Sequence, residues 1–111
     1  MDVNQFLVTL LHALSLRDFV EKVDFHTEAF ILKGNVLLKG NRLLRVYFNE
    51  QTGTTAFALL EREKRIWGID FDNLRGWHLH PVDAPDNHSD IDEKTPEEVI
   101  GLLAEVWATL L

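Results

Sequence analysis

The stretch "AFILKGNVLLKGNRLLRVYFN", residues 29–49, constrains the fold more than any other part of the chain. Phe30, Leu32, Val36 and Leu38 alternate with Lys33, Asn35 and Lys39. After Gly40-Asn41, Leu44, Val46 and Phe48 keep to even positions while Arg45, Tyr47 and Asn49 take the odd ones. A strand sends successive side chains to opposite faces, and a Gly/Asn pair between two such runs marks a tight turn. The pattern predicts two antiparallel strands whose even residues face a core. Gly34-Asn35 is read as a bend or bulge in the first strand rather than its end. "TTAFALLER" predicts a further strand and "RIWGIDF" the last one, where Gly68 permits close approach of another segment. "VEKVDFH" alternates in part, which adds an optional strand over residues 20–26.

Helices bracket this meander. Asp2 and Gln5 have the spacing of a capping box, and Val3, Phe6, Leu7, Leu10, Leu11 and Leu14 recur as one apolar stripe. His12 lies on this helix and is read as a surface or packed residue. Near the other end, Thr95, Pro96 and Glu98 form a second start signal. Val99, Leu102, Leu103, Val106, Trp107 and Leu110 then follow at helical spacing. Two amphipathic helices need an apolar partner, and the even face of the sheet is the one available. The expected fold is α+β: a single domain over residues 1–111, with an antiparallel four- to five-stranded sheet and the N-terminal and C-terminal helices packed on one face.

With both helices on the even face, the odd face is expected to turn Lys33, Lys39, Arg45, Tyr47, Phe57 and Trp67 to solvent. Cations among aromatic rings suit single-stranded nucleic acid, with Lys33, Lys39, Arg45, Tyr47 and Arg65 as the binding candidates. The same residue types suit a homodimer interface. The formal charge of −7 does not decide between these readings, because it is unevenly spread. Residues 1–81 balance ten acids with ten bases, whereas residues 82–111 carry eight acids and only Lys94. The stretch 33–65 is net basic, with seven bases to three acids. The chain has no cysteine, which excludes disulfides, thiolate–zinc sites and thiol nucleophiles. No secretory signal is evident, and Phe6 to Leu16 is too short to span a bilayer, so a cytoplasmic location without membrane contact is expected.

The remaining conspicuous feature is "GWHLHPVDAPDNH", residues 76–88, which holds His78, His80 and His88. Three readings stand side by side. In an extended segment His78 and His80 project to the same side, and His88 can return to them around Pro81 and Pro85, with Asp83 or Asp86 adding an oxygen ligand. The spacing matches no fixed metal signature, so no metal or cofactor is assigned. Two imidazoles can instead exchange protons with a ribose hydroxyl and a leaving oxygen, given a cation for the phosphorane. His78, His80 and His88 are the candidates for that pair, Arg75 or Arg65 for the cation, and Asp70 or Asp72 for orienting a ring. Alternatively Trp77 and Pro81 anchor a rigid loop whose histidines pair with nearby aspartates.

The run "RIWGIDFDN", then "GWHLHP", a later proline and His88, then the "TPEEV" helix start, resembles the TumE-like family of toxin components of toxin–antitoxin pairs. The resemblance extends over roughly residues 25–105, and its specific part is residues 65–88. "HLH" stands here where that family commonly has an adjacent histidine pair, and Arg65, Trp67, Asp70 and Asn73 are spread over more positions. The resemblance implies a toxin component with a cognate antitoxin as partner, and joined to the acid/base reading of His78, His80 and His88 it gives an expected action on RNA as a ribonuclease. The alternative is a non-enzymatic homodimeric interaction module.

Overall fold

The computed structural model describes residues 1–110. Helix α1 (Val3–Ser15) is followed by β1 (Val20–Glu28), β2 (Ile31–Leu38), a 3-10 turn over Lys39–Asn41, β3 (Arg42–Asn49), β4 (Thr55–Glu61), β5 (Lys64–Asp72), β6 (Gly76–His80) and β7 (Ser89–Asp90). Helix α2 (Pro96–Thr109) closes the order. The strands pair antiparallel in sequence order, β1 through β7. The α+β architecture is as expected, with more strands than the four or five anticipated. "RIWGIDF" is not the last strand: residues 76–80 of the histidine-rich segment form β6, and β7 pairs beyond it.

Both helix starts form as their residues dictate. The Asp2 side chain accepts from the Gln5 N–H at 2.8 Å, and the Gln5 side chain accepts from the Asp2 N–H at 2.9 Å. Thr95 and Glu98 repeat the arrangement at 3.2 and 2.9 Å, with Pro96 just inside the helix. These reciprocal bonds satisfy N–H groups that a helix start otherwise leaves open. The helices lay Phe6, Leu10, Leu14, Val99, Ile100 and Leu103 on the sheet, all buried. Phe6 stacks on Phe48 with ring centroids 4.2 Å apart. Trp107 stacks on Phe19 at 4.7 Å, with the Arg42 guanidinium 5.2 Å from the indole centroid. Such ring pairs contribute roughly 0.5–1.5 kcal/mol beyond the area they bury.

The core face does not keep one numerical parity. Leu32, Val36, Leu38, Leu44, Val46 and Phe48 are buried on even positions, as predicted, but the next strands bury Thr55, Phe57, Leu59, Trp67 and Ile69. Phe57 and Trp67, expected in solvent, are 1 % and 2 % exposed. The reason lies in the connections. Leu38 pairs with Arg42, leaving an odd number of residues in the turn, whereas Phe48 pairs with Thr55 and leaves an even number. An even-numbered connection exchanges the two faces in numbering. Phe30, expected on the core face, sits in the β1–β2 turn and is exposed.

Candidate functional site

The face away from the helices is ordered in cross-strand rows. One runs His26, Lys33, Tyr47, Ala56, Asp70, His78, Asp90 across all seven strands. The next runs Asp24, Asn35, Arg45, Ala58, Gly68, His80. A third runs Lys22, Leu37, Leu43, Leu60, Arg65. Lys33, Arg45, Tyr47, Arg65, Asp70, His78 and His80 therefore share one surface. Lys39 does not join it, because it belongs to the β2–β3 turn.

Arg65 reaches this face through a β-bulge. Leu59 pairs with Trp67 but Leu60 pairs with Arg65, so Ile66 has no partner across the ladder. The extra residue reverses the alternation within β5 and places Arg65 beside Asp70, two positions that regular alternation would put on opposite faces. Arg65 Nη1 donates to Asp70 Oδ2 at 3.5 Å. Two strands away stand Arg45 and Tyr47. Between them lie only Ala56, Ala58 and Gly68, so the surface has a low strip walled by Arg45 and Tyr47 on one side and by Asp70, His78 and His80 on the other. At roughly 4.8 Å per strand the strip is about 10 Å across. A side chain at position 68 is excluded, since a Cβ there would stand 2.8 Å from the Phe57 carbonyl oxygen.

The histidines converge on Asp70. His80 Nε2 is 3.1 Å and His78 Nε2 is 3.6 Å from Asp70 Oδ2. Each ring is fixed from behind: His78 Nδ1 donates to the Gly76 carbonyl and His80 Nδ1 to the Pro85 carbonyl, both at 3.1 Å. A carbonyl oxygen only accepts, so both rings carry a proton on Nδ1 and turn Nε2 toward the carboxylate. Both residues are buried, at 3 % and 7 % exposure. His88 completes the group from outside. It is exposed, and its ring centroid lies 5.7 Å from that of His78 and 6.0 Å from that of His80. The segment around Pro81–Asn87 folds back on itself, with Ala84 N–H donating to Pro81 O and Asn87 N–H to Ala84 O.

Arg75 and Asp72 fall elsewhere. Arg75 is exposed in the β5–β6 turn, and Arg65 takes the cationic position that either arginine was expected to fill. Asp72 closes that turn: its Oδ1 accepts from the backbone N–H of Arg75 at 2.8 Å and of Leu74 at 2.9 Å. The Arg75 bond, foremost, holds the Asp72 carboxyl below its usual range. Asp83 and Asp86, the expected oxygen donors, are exposed, and Asp70 takes that place. His12 is exposed on α1, remote in the fold from this face. Sequence reasoning did not see the low strip, although "TAFALLE" carries its signal in two alanines at alternate positions.

No family model, curated protein or solved structure matches the chain. Among the described residues, no helix is long and apolar enough to cross a membrane.

Proposed function

We propose that the protein is a toxin-like component of a toxin–antitoxin pair that binds a single RNA strand along the low strip and cleaves it at the histidine cluster. The observation that supports this reading is the placement of Asp70 between Arg65 and the His78/His80 pair, with His88 beside both rings, on the same face as Lys33, Arg45 and Tyr47. Charge holds the phosphates and the Tyr47 ring offers a stacking surface for a base. His88 and Arg65 are the cluster's solvent-facing groups and meet the reacting phosphate. His88 takes the ribose 2′-hydroxyl proton as that oxygen bonds to phosphorus and returns it to the 5′-oxygen as its bond to phosphorus breaks, while Arg65 steadies the charge on the phosphorus-bound oxygens. Asp70, His78 and His80 form the fixed support behind them. The excess acid lies in residues 82–111 and reaches this face at Asp90, beside His78, so the bound strand runs along β3–β5 and meets the cluster at its Arg65 side.

RNA cleavage by the purified chain is the test. The His80→Ala, His88→Ala double variant should lose cleavage while keeping RNA binding, and binding should weaken as salt rises because phosphate contacts release counterions. Undiminished cleavage in the double variant removes the cluster from the mechanism, and salt-insensitive binding removes the strip. A gene for a small antitoxin beside this one, whose product suppresses the activity, supports the pairing.

A second reading has its own observation. Leu37, Leu43 and Leu60 are cross-strand neighbours on the same open face, and Leu37 is 43 % exposed. That apolar row suits a homodimeric interaction module without catalysis. Light scattering on the eluting protein separates the two: a strict monomer that cleaves RNA excludes the dimer reading.

A further inference from the structure

We infer that Asp70, His78 and His80 bind one divalent transition-metal ion of the zinc class. The inference shares residues with the proposed RNA site but does not depend on cleavage.

Three observations carry it. The first is distance. One ligand atom from each residue lies within 4.8 Å of the other two. Metal–ligand bonds of about 2.0–2.1 Å at tetrahedral angles require ligand atoms roughly 3.3 Å apart. The two separations to Asp70 Oδ2, 3.1 and 3.6 Å, straddle that value. The remaining separation, between the two histidine nitrogens, is within 4.8 Å, and rotation of the rings about their side chains closes it on an ion.

The second is the direction of the lone pairs. Metal-binding histidines characteristically donate their other ring N–H to a carbonyl or carboxylate, which fixes the tautomer and aims the free nitrogen at the ion. Both rings already do so, through Gly76 O and Pro85 O. Each therefore presents Nε2, as a lone pair when neutral, to a carboxylate that also only accepts. Arg65 supplies one donor to Asp70 from the exposed side, but the two Nε2 atoms and Oδ2 still converge as three electron-pair donors, the arrangement a metal ion accepts.

The third is the local charge and access. His78 and His80 are more than nine-tenths buried, so they are held in place before an ion arrives. Asp90 lies directly across the ladder from His78, and Asp72 follows Asp70 on the same face of β5. These acids favour a dication. Arg65 opposes it from 3.5 Å, but its side chain is 42 % exposed and free to swing toward Oδ1 or solvent. The exposed His88 stands over the open side of the trio, leaving the fourth position to water, to His88 or to a phosphate oxygen. Two imidazoles with one carboxylate select zinc, cobalt or nickel over magnesium and calcium, which prefer all-oxygen shells.

The test uses the full, untagged chain, stripped with a chelator and dialysed against zinc chloride, with bound metal counted by elemental analysis. About one zinc per chain is expected, with no competition from excess magnesium. Asp70→Asn and His78→Ala should each weaken binding by about 10- to 100-fold or more, while His12→Ala leaves it unchanged. Should either variant fail to fold, cobalt substitution of the wild-type chain reads the same point, through visible bands of nitrogen/oxygen coordination that zinc displaces. Absence of stoichiometric zinc, zinc binding that survives Asp70→Asn, or a cobalt spectrum of the hexa-aqua ion overturns the inference. None of these measurements contains RNA, so failure of the RNA reading leaves the metal result standing, and the reverse also holds.

Discussion

Arg65 and Asp70 face each other across the surface of one strand, Nη1 to Oδ2 at 3.5 Å, only because Ile66 is bulged out of the β4–β5 ladder. Odd and even positions on a regular strand do not meet. The contact therefore reports a local irregularity that brings a cation to the histidine cluster. Since the pair is partly exposed, its own contribution to stability is small, under about 1 kcal/mol. Arg65→Ala should leave the urea midpoint nearly unchanged. RNA affinity should fall across all sequences, with the slope of log K against log salt shallower by about one phosphate contact. A titration by fluorescence anisotropy at several salt concentrations checks both. An unchanged slope would mean that Arg65 touches no phosphate.

Phe57 carries a second prediction. It is 1 % exposed and lies 6.0 Å from the Phe6 ring, at the centre of the layer between sheet and α1. Phe57→Ala should destabilise the protein by about 3–5 kcal/mol, measured by chemical denaturation. A solvent-facing phenylalanine would lose a few tenths at most, so the magnitude distinguishes the observed face from the one that simple alternation suggests.

That contrast also shows how far the sequence is legible. Capping residues act over three positions, so Asp2–Gln5 and Thr95–Glu98 disclose both helix starts without tertiary information. The Gly40–Asn41 turn likewise discloses the β2–β3 pair. Parity beyond Asn49 depends on how many residues the next connection leaves unpaired, and "NEQTG" permits either count. The bulge at Ile66, where Ile66 and Trp67 both pack on the core, is announced by no local pattern. For the site, "HLH" at alternate positions places two imidazoles on one face. Their partner is Asp70 rather than Asp83 or Asp86, because the β5–β6 register sets Asp70 opposite His78. Such a register is a long-range property, invisible in spacing along the chain.

Gly34 supplies a further test of the scaffold. A Cβ there would fall 2.1 Å from the Asp24 carbonyl oxygen and 2.8 Å from the Phe25 Cα, both backbone atoms that cannot yield separately. Gly34→Ala should cost about 1–3 kcal/mol or more through forced separation of β1 from β2. Hydrogen exchange should show β1 amides losing protection ahead of those in β4 and β5. Uniform loss of protection would mean that the strain spreads through the whole sheet.

Acid sensitivity follows from two carboxylates. The Thr95 backbone N–H, foremost, holds Glu98 below its usual range, as the Arg75 N–H holds Asp72. A carboxyl whose folded pKa is lowered binds fewer protons folded than unfolded. Its stabilisation is full above the ordinary values of 4.5 for Glu98 and 3.8 for Asp72, and is lost as pH falls through the lowered folded values. Thermal midpoints measured from about pH 6 down to about pH 3 should therefore decline through the carboxylate range. Thr95→Ala removes the side-chain half of the capping box and should cost about 1 kcal/mol near neutral pH. Glu98→Gln keeps a side-chain oxygen to accept the Thr95 N–H but has no proton to gain there. It should flatten the Glu98 part of the acid decline while leaving the Asp72 part, which Asp72→Asn removes in turn. An acid profile unaltered by either substitution would place the proton-linked stabilisation elsewhere in the molecule.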